Sequence, residues 1–139
     1  MVTEVLMAVR PKYAESILAG HKRYELRRSR PHLDVGAIVW LYATKPRGAV
    51  IGRFEVDHVI DGTPSQLWQT LGPLLGVSRA ELRRYLAGRR TGYAIKVKNV
   101  SRLDRDVELP PSAAVPQSYR FLRHRRASDR VLSSTLAAS

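Results

Sequence analysis

The stretch Gly20-His21-Lys22-Arg23-Tyr24-Glu25-Leu26-Arg27-Arg28 decides how the chain is read. Its glycine suits the left-handed residue that ends a helix. The helix it ends is written just before it. Tyr13 with Ile17, and Ala14 with Leu18, recur at i and i+4 over Lys12–Ala19, behind Pro11 at the helix start. After the glycine the pattern turns to alternation, which predicts a strand over Arg23–Arg28. Tyr24 and Leu26 point one way, and Arg23, Glu25 and Arg27 the other. Buried in a core, two opposite charges on that face are costly unless paired. As the wall of a cleft they become a polar site with Lys22 at its rim. Glu25 then accepts from an amide or serves as a base, and Arg27 holds it ionised or binds phosphate. A solvated strand edge with an incidental ion pair is the alternative that spacing alone leaves open.

Strand and turn signals surround this core. Thr3–Val9 is apolar and β-branched. Asp34-Val35-Gly36 is a turn before the apolar run Ala37–Ala43. After a loop at Thr44–Gly48, Ala49–Ile60 alternates with Val50, Phe54, Val56 and Ile60 inward, and His58 on the same inward side. Two short helices follow. Thr63-Pro64 opens one with the stripe Leu67, Trp68 and Leu71, and Ser78 with Glu81 writes a capping box before Leu82, Tyr85 and Leu86. Gly92–Val100 alternates again, and Val107–Leu109 is a last short strand. Five or six strands with helices inserted between them predict an α+β fold, a small mixed β-barrel flanked by short helices. The expected domain covers residues 1–122. Residues 123–139, basic and then small and polar, are expected to form a flexible tail.

The 139 residues suffice for one domain with its own core. With no cysteine, disulfides, thiolate catalysis and iron–sulfur clusters are excluded. The four histidines show no paired ligand spacing, and no phosphate loop or dinucleotide fingerprint appears, so neither metal nor cofactor is expected. There is no apolar run of membrane-spanning length and no signal-peptide pattern at Met1–Arg10, so the expected location is cytoplasmic, with no membrane partner.

Charge is the abnormal quantity: 24 Lys and Arg against 12 Asp and Glu give +12. That imbalance favours polyanionic partners, nucleic acid first and an anionic membrane surface second, and no helix-turn-helix pattern supports duplex DNA. The cations fall in three groups. Lys12, Lys22, Arg23, Arg27 and Arg28 belong to the first, Arg79, Arg83 and Arg90 to the second, and Arg120 to the third, with Arg53 on the outward face of the long strand. Lys12, Arg23, Arg28, Arg53, Arg79, Arg83, Arg90 and Arg120 are the candidate nucleic-acid contacts. Arg79 and Arg83 share a helix face, either a phosphate-tracking stripe or a solvated one.

The pattern Pro11-Lys12-x-Ala14, then Ile17-Leu18-x-Gly20-x-Lys22-x-x-Glu25-x-Arg27, resembles the signature of the ASCH domain, a branch of the PUA-like superfamily. Tyr42-Ala43-Thr44-Lys45-Pro46, Val50-Ile51-Gly52, Gly92-Tyr93-Ala94-Ile95 and Pro116-Gln117-Ser118 are similar to a small prokaryotic subgroup, and the likeness spans about Val5 to Leu122. The resemblance implies a PUA-like barrel with helices beside a cleft, and RNA or nucleotide binding linked to regulation. Lys22, Glu25 and Arg27 would lie on one cleft wall and the Tyr42–Pro46 loop opposite. Lys22 and Glu25 are then the candidate catalytic pair, and Arg27, Tyr42, Thr44, Lys45 and Tyr93 the candidate ligand contacts, with the two tyrosines placed to stack on a base. Some members are ribonucleases, and one branch deacetylates N(4)-acetylcytidine. That branch carries a nucleophilic threonine three positions after the lysine, where this chain has Glu25. A carboxylate does not replace a hydroxyl nucleophile without a change of mechanism. Ribonuclease action is therefore the leading hydrolase alternative, ahead of amide hydrolysis on a modified nucleoside.

Overall fold

The computed structural model describes residues 2–139. The strand β1 (Glu4–Val9) leads into helix α1 (Pro11–Leu18) and β2 (Tyr24–Arg27). Next come β3 (Ile38–Ala43) and β4 (Ala49–Gly62), then α2 (Pro64–Leu71), a short 3-10 turn (Gly72–Leu75) and α3 (Arg79–Tyr85). The long β5 (Gly92–Val107), β6 (Tyr119–Phe121) and α4 (Ala127–Ala137) complete the chain. One mixed sheet carries all six strands in the order β2-β5-β4-β3-β1-β6, with β1 and β3 parallel and the other pairs antiparallel. It curls far enough for a side chain of β2 at one edge to bond β1 near the other. The expected α+β fold is thus observed as a half-barrel with helices against it.

Three apolar clusters fasten the layers. Helix α1 drops Ala14 and Ile17 onto Met7, Val39, Leu41, Ile51 and Phe54. Its close approach explains Gly52: a Cβ there would stand 2.5 Å from Leu18 Cδ2 and 2.8 Å from the Ser101 carbonyl. The insertion α2–α3 packs Leu67, Leu71, Leu75, Leu82 and Leu86 on Tyr24, Leu26 and Ala94. Both of its helices start with reciprocal capping boxes, Thr63 with Gln66 and Ser78 with Glu81.

The structure corrects four expectations. The segment from residue 123 is not a flexible tail. Helix α4 buries Leu132 and Leu136 against Leu6, Trp40 and Tyr42, on the opposite sheet face from α1. Asp129, 1% exposed, is held by Arg120 at 3.1 Å and by the Arg123 amide at 2.7 Å, which ties α4 to β6. Arg120 therefore has an intramolecular partner in place of a nucleic-acid one. His58 is exposed rather than inward, because the β4–β5 register shifts between Val56 and His58 and flips the alternation. Finally, Gly92–Val100 and Val107 belong to one strand bulged near Asn99, where the sequence predicts two strands.

Candidate functional site

The cleft opens where the curled sheet fails to close, between β2 and the β1–β6 edge, with α1 and α3 as its other walls. It encloses about 790 Å³ and is lined by six cationic side chains, Arg10, Lys12, Lys22, Arg27, Arg28 and Arg84, against two carboxylates, Glu25 and Glu81. Such a cation excess in a walled groove concentrates anions.

Arg27 spans the seam. Its Nη2 donates to the Ala8 carbonyl at 3.0 Å and to Glu25 Oε2 at 2.8 Å, and its Nη1 donates to Ser118 Oγ at 3.2 Å. Its buried Nε has no protein acceptor among the described residues, which leaves donor capacity for a ligand. Alternation on β2 put Glu25 and Arg27 on one face, and their ion pair is nearly closed to solvent. Removing one partner of such a pair costs roughly 3–5 kcal/mol.

Lys22 is a wall residue and not the rim residue expected: it is 2% exposed. Its Nζ donates to the Leu75 carbonyl at 2.6 Å and stands 5.1 Å from the centre of the Tyr13 ring. Burial pushes the Lys22 pKa down, with Arg27 adding to the effect, while Glu25 and Glu81 oppose it. The seat depends on Gly76, whose φ of +66° is left-handed and whose added Cβ would meet Lys22 Cβ at 2.5 Å.

Across the cleft, Tyr13 donates to Glu81 Oε2 at 2.7 Å, and Lys12 Nζ lies 3.4 Å from the same oxygen. The Ser78 amide, the Tyr13 hydroxyl and Lys12 hold the Glu81 carboxyl down at about 2. Burial, then the bond to Glu81, pushes the Tyr13 hydroxyl up. Tyr85 donates to the Leu26 carbonyl at 3.2 Å, and burial raises its pKa as well.

Of the sequence-derived candidates, the structure brings together Lys12, Lys22, Glu25, Arg27, Arg28 and Thr44. It sets others apart. Tyr42 is buried beneath α4, because β3 is covered on both faces. Lys45 is exposed on its loop and lines no cavity wall of the cleft. Tyr93 lies under the Arg30 guanidinium, 5.0 Å from the ring centre, outside the cleft lining. Arg53 sits over Trp40 and 3.6 Å from Glu55. Arg79, Arg83 and Arg90 are exposed, whereas Arg84 lines the cleft. Arg23 lines a second, smaller groove.

Sequence reasoning missed Tyr13, Glu81, Arg84 and Tyr85 as cleft residues. Tyr13 and Tyr85 were read as apolar helix stripes and Glu81 as a cap only. Their polar ends meet partners 59 to 68 positions away, which local spacing does not encode. Among the described residues no group of three or more His, Asp and Glu is placed to hold a metal ion, and no helix is long and apolar enough to cross a membrane.

A family model described as the ASCH domain matches residues 7–75. A curated protein of Zymomonas mobilis subsp. mobilis, named ASCH domain-containing ribonuclease, is 29% identical over 125 residues, covering 86% of this chain and 84% of its own length. A crystal structure of ASCH from Zymomonas mobilis is 26% identical, with a TM-score of 0.82 over 93% of this chain and 94% of that one. A point mutant of the Zymomonas mobilis protein superimposes with a TM-score of 0.84 at 24% identity, covering 96% and 97% of the two chains.

Proposed function

Because this chain is an ASCH domain protein, we propose that its cleft binds single-stranded RNA and cleaves the phosphodiester it holds. The observation that carries the reading is Lys22: an almost fully buried ammonium beside a buried carboxylate–guanidinium pair, in a cleft whose charged lining is mostly cationic. The name of the Zymomonas mobilis relative supports the same activity.

The chemistry needs only the side chains of the cleft and one water. The 2′-hydroxyl attacks the adjacent phosphorus and gives its proton to the Glu25 carboxylate. The P–O5′ bond breaks, and water protonates the leaving oxygen. Negative charge grows on the phosphoryl oxygens, where Lys22 and Arg27 stabilise it. Lys22 spends one N–H on Leu75 and keeps two for the phosphate. Lys12, Arg28 and Arg84 hold the flanking phosphates. Such a protein works on cytoplasmic RNA.

The test follows retention and cleavage of labelled single-stranded RNA, duplex RNA and duplex DNA by wild type, Lys22→Met and Glu25→Gln. Wild type alone should release a 2′,3′-cyclic phosphate, and a 2′-deoxy residue at the scissile position should block it. Equal cleavage by all three proteins would assign the activity to a contaminant. Salt-sensitive retention with no cleavage would leave a binding module. Thr44, a hydroxyl in the cleft lining, favours one second reading, amide hydrolysis on a modified nucleoside; release of acetate from N(4)-acetylcytidine would select it.

A further inference from the structure

Lys22 lines two cavities. Besides the cleft it borders a groove of about 330 Å³, formed by Ile17, Gly20, Lys22, Arg23, Lys96, Val97, Lys98, Asn99 and Val100. The groove sits at the C-terminal end of α1, and the cleft sits at the N-terminal end, where Arg10, Lys12 and Tyr13 contribute. From Tyr13 to Gly20 the backbone advances about 10 Å at 1.5 Å per residue. That is about three stacked nucleotides at a rise of ~3.4 Å.

The groove has no carboxylate in its lining. Among the described residues no acid lies within ion-pair distance of Arg23, Lys96 or Lys98. Lys96 donates only to the Val97 carbonyl, at 3.1 Å, and lies over the Tyr24 ring. Its floor is the β5 bulge, where Asn99 takes a φ of +50° and presents an exposed amide. A bulge beside a cavity re-aims side chains that the ladder would otherwise fix. Glu55 of β4, the cross-strand partner of Lys98, is engaged by Arg53 at 3.6 Å, and Asp57 lies beside His58.

We propose that this groove is a second nucleic-acid subsite, in which Arg23, Lys96 and Lys98 take the phosphates of nucleotides flanking those in the cleft, with Asn99 facing a base or ribose. The inference rests on the RNA reading of the cleft and extends it: the protein requires a strand long enough to pass Lys22 and fill both cavities. Length dependence is then a property of the fold, because a dinucleotide reaches the cleft alone.

The experiment measures anisotropy of labelled 2′-O-methyl oligouridylate, which the proposed attack cannot cleave, as a dinucleotide and a dodecamer, from 50 to 300 mM salt. The proteins are wild type and the double variant Lys96→Gln/Lys98→Gln, with thermal melting as the fold control. Losing two single-strand phosphate contacts flattens the salt slope of the dodecamer by about 1.4 and weakens it about 25-fold at 0.1 M salt. Dinucleotide binding should not change. A dodecamer bound equally by both proteins overturns the groove and leaves the cleft reading intact. Equal losses for both lengths, with an unchanged melt, overturn the division into two subsites. If wild type retains neither oligonucleotide, the RNA reading and the groove fall together.

Discussion

Replacing Lys22 separates its two roles, because two variants remove the same ammonium but different volumes. Lys22→Ala deletes three methylenes from a site that is 2% exposed, at about 0.8 kcal/mol each, before any cavity term. It also orphans the Leu75 carbonyl, at roughly 1–3 kcal/mol. Lys22→Met orphans the same carbonyl but keeps nearly all the volume, and it relieves the desolvation of a buried charge. Urea denaturation should therefore find Met more stable than Ala by about 2 kcal/mol, the methylene difference alone. Both should lose RNA cleavage by about 10²–10³-fold, the usual effect of removing a donor to developing charge. The pH dependence carries a sign. Burial depresses the pKa of Lys22 below its ordinary 10.5. Between the folded and unfolded values the unfolded chain binds more protons, so stability contributed here rises with pH across that window. The advantage of Met over wild type is largest below the folded pKa and shrinks as pH climbs toward 10.5. Unimpaired cleavage by Lys22→Met would refute the catalytic assignment. A Met variant as unstable as Ala would show that the Leu75 bond, and not packing, governs the site.

Three further outcomes test the frame around it. Gly76→Ala places a Cβ against Lys22 at a left-handed φ, so it should cost more than about 2 kcal/mol in denaturation and reduce cleavage with it. Asp129→Ala breaks the buried pair with Arg120 and should cost about 3–5 kcal/mol, with hydrogen exchange showing protection lost first across α4. The Glu81 carboxyl, held at about 2, stabilises the fold fully above its unfolded value near 4.5 and loses that contribution as pH falls toward 2. A melting series on Glu81→Gln should lack that acid limb, and an unchanged limb would remove Glu81 from the account.

What was legible in the sequence was local. A helix, a glycine and an alternating strand lie within Pro11–Arg27, and each signal acts over a few residues. Glu25 and Arg27 therefore came out on one face, paired as geometry requires. The Thr63-Pro64 start of α2 and the capping box of α3 were legible for the same reason, while the reciprocal partner of Thr63, Gln66, was not read. Misreadings began where the register shifts. One register shift in β4, between Val56 and His58, turned His58 outward, and another, at the β5 bulge near Asn99, hid the continuity of β5. Helix α4 was hidden by composition, since Ser, Thr and Ala dominate it. Its signal was present nonetheless: Leu132 and Leu136 at i and i+4, with Asp129 in the first turn. Tyr42 failed as a cleft residue because α4 covers its face of β3. The burial of Lys22 was not legible at all, since its partner Leu75 is 53 residues away and only the docked insertion brings it near.

The charges of the cleft divide by depth. Both carboxylates are engaged: Glu25 by Arg27 at 2.8 Å, and Glu81 by Tyr13, the Ser78 cap and Lys12. Among the described residues, Arg10, Arg28 and Arg84 have no ion-pair partner, although they line the same cavity. The interior is a hydrogen-bonded polar cluster, in which Lys22 is held by the Leu75 carbonyl rather than by an acid, kept in place by the curled sheet and by the insertion that donates Leu75 and Glu81. The remaining cations carry uncompensated charge. Such charges raise the rate of encounter and fade with salt, whereas the buried groups respond to salt far less. On the proposed reading, a phosphodiester gathered by the outer cations meets, at the wall, donors already oriented by protein partners and costing no reorganisation when charge develops. That reading assigns capture and chemistry to different residues of one cleft, and it expects salt to act on the first without disarming the second.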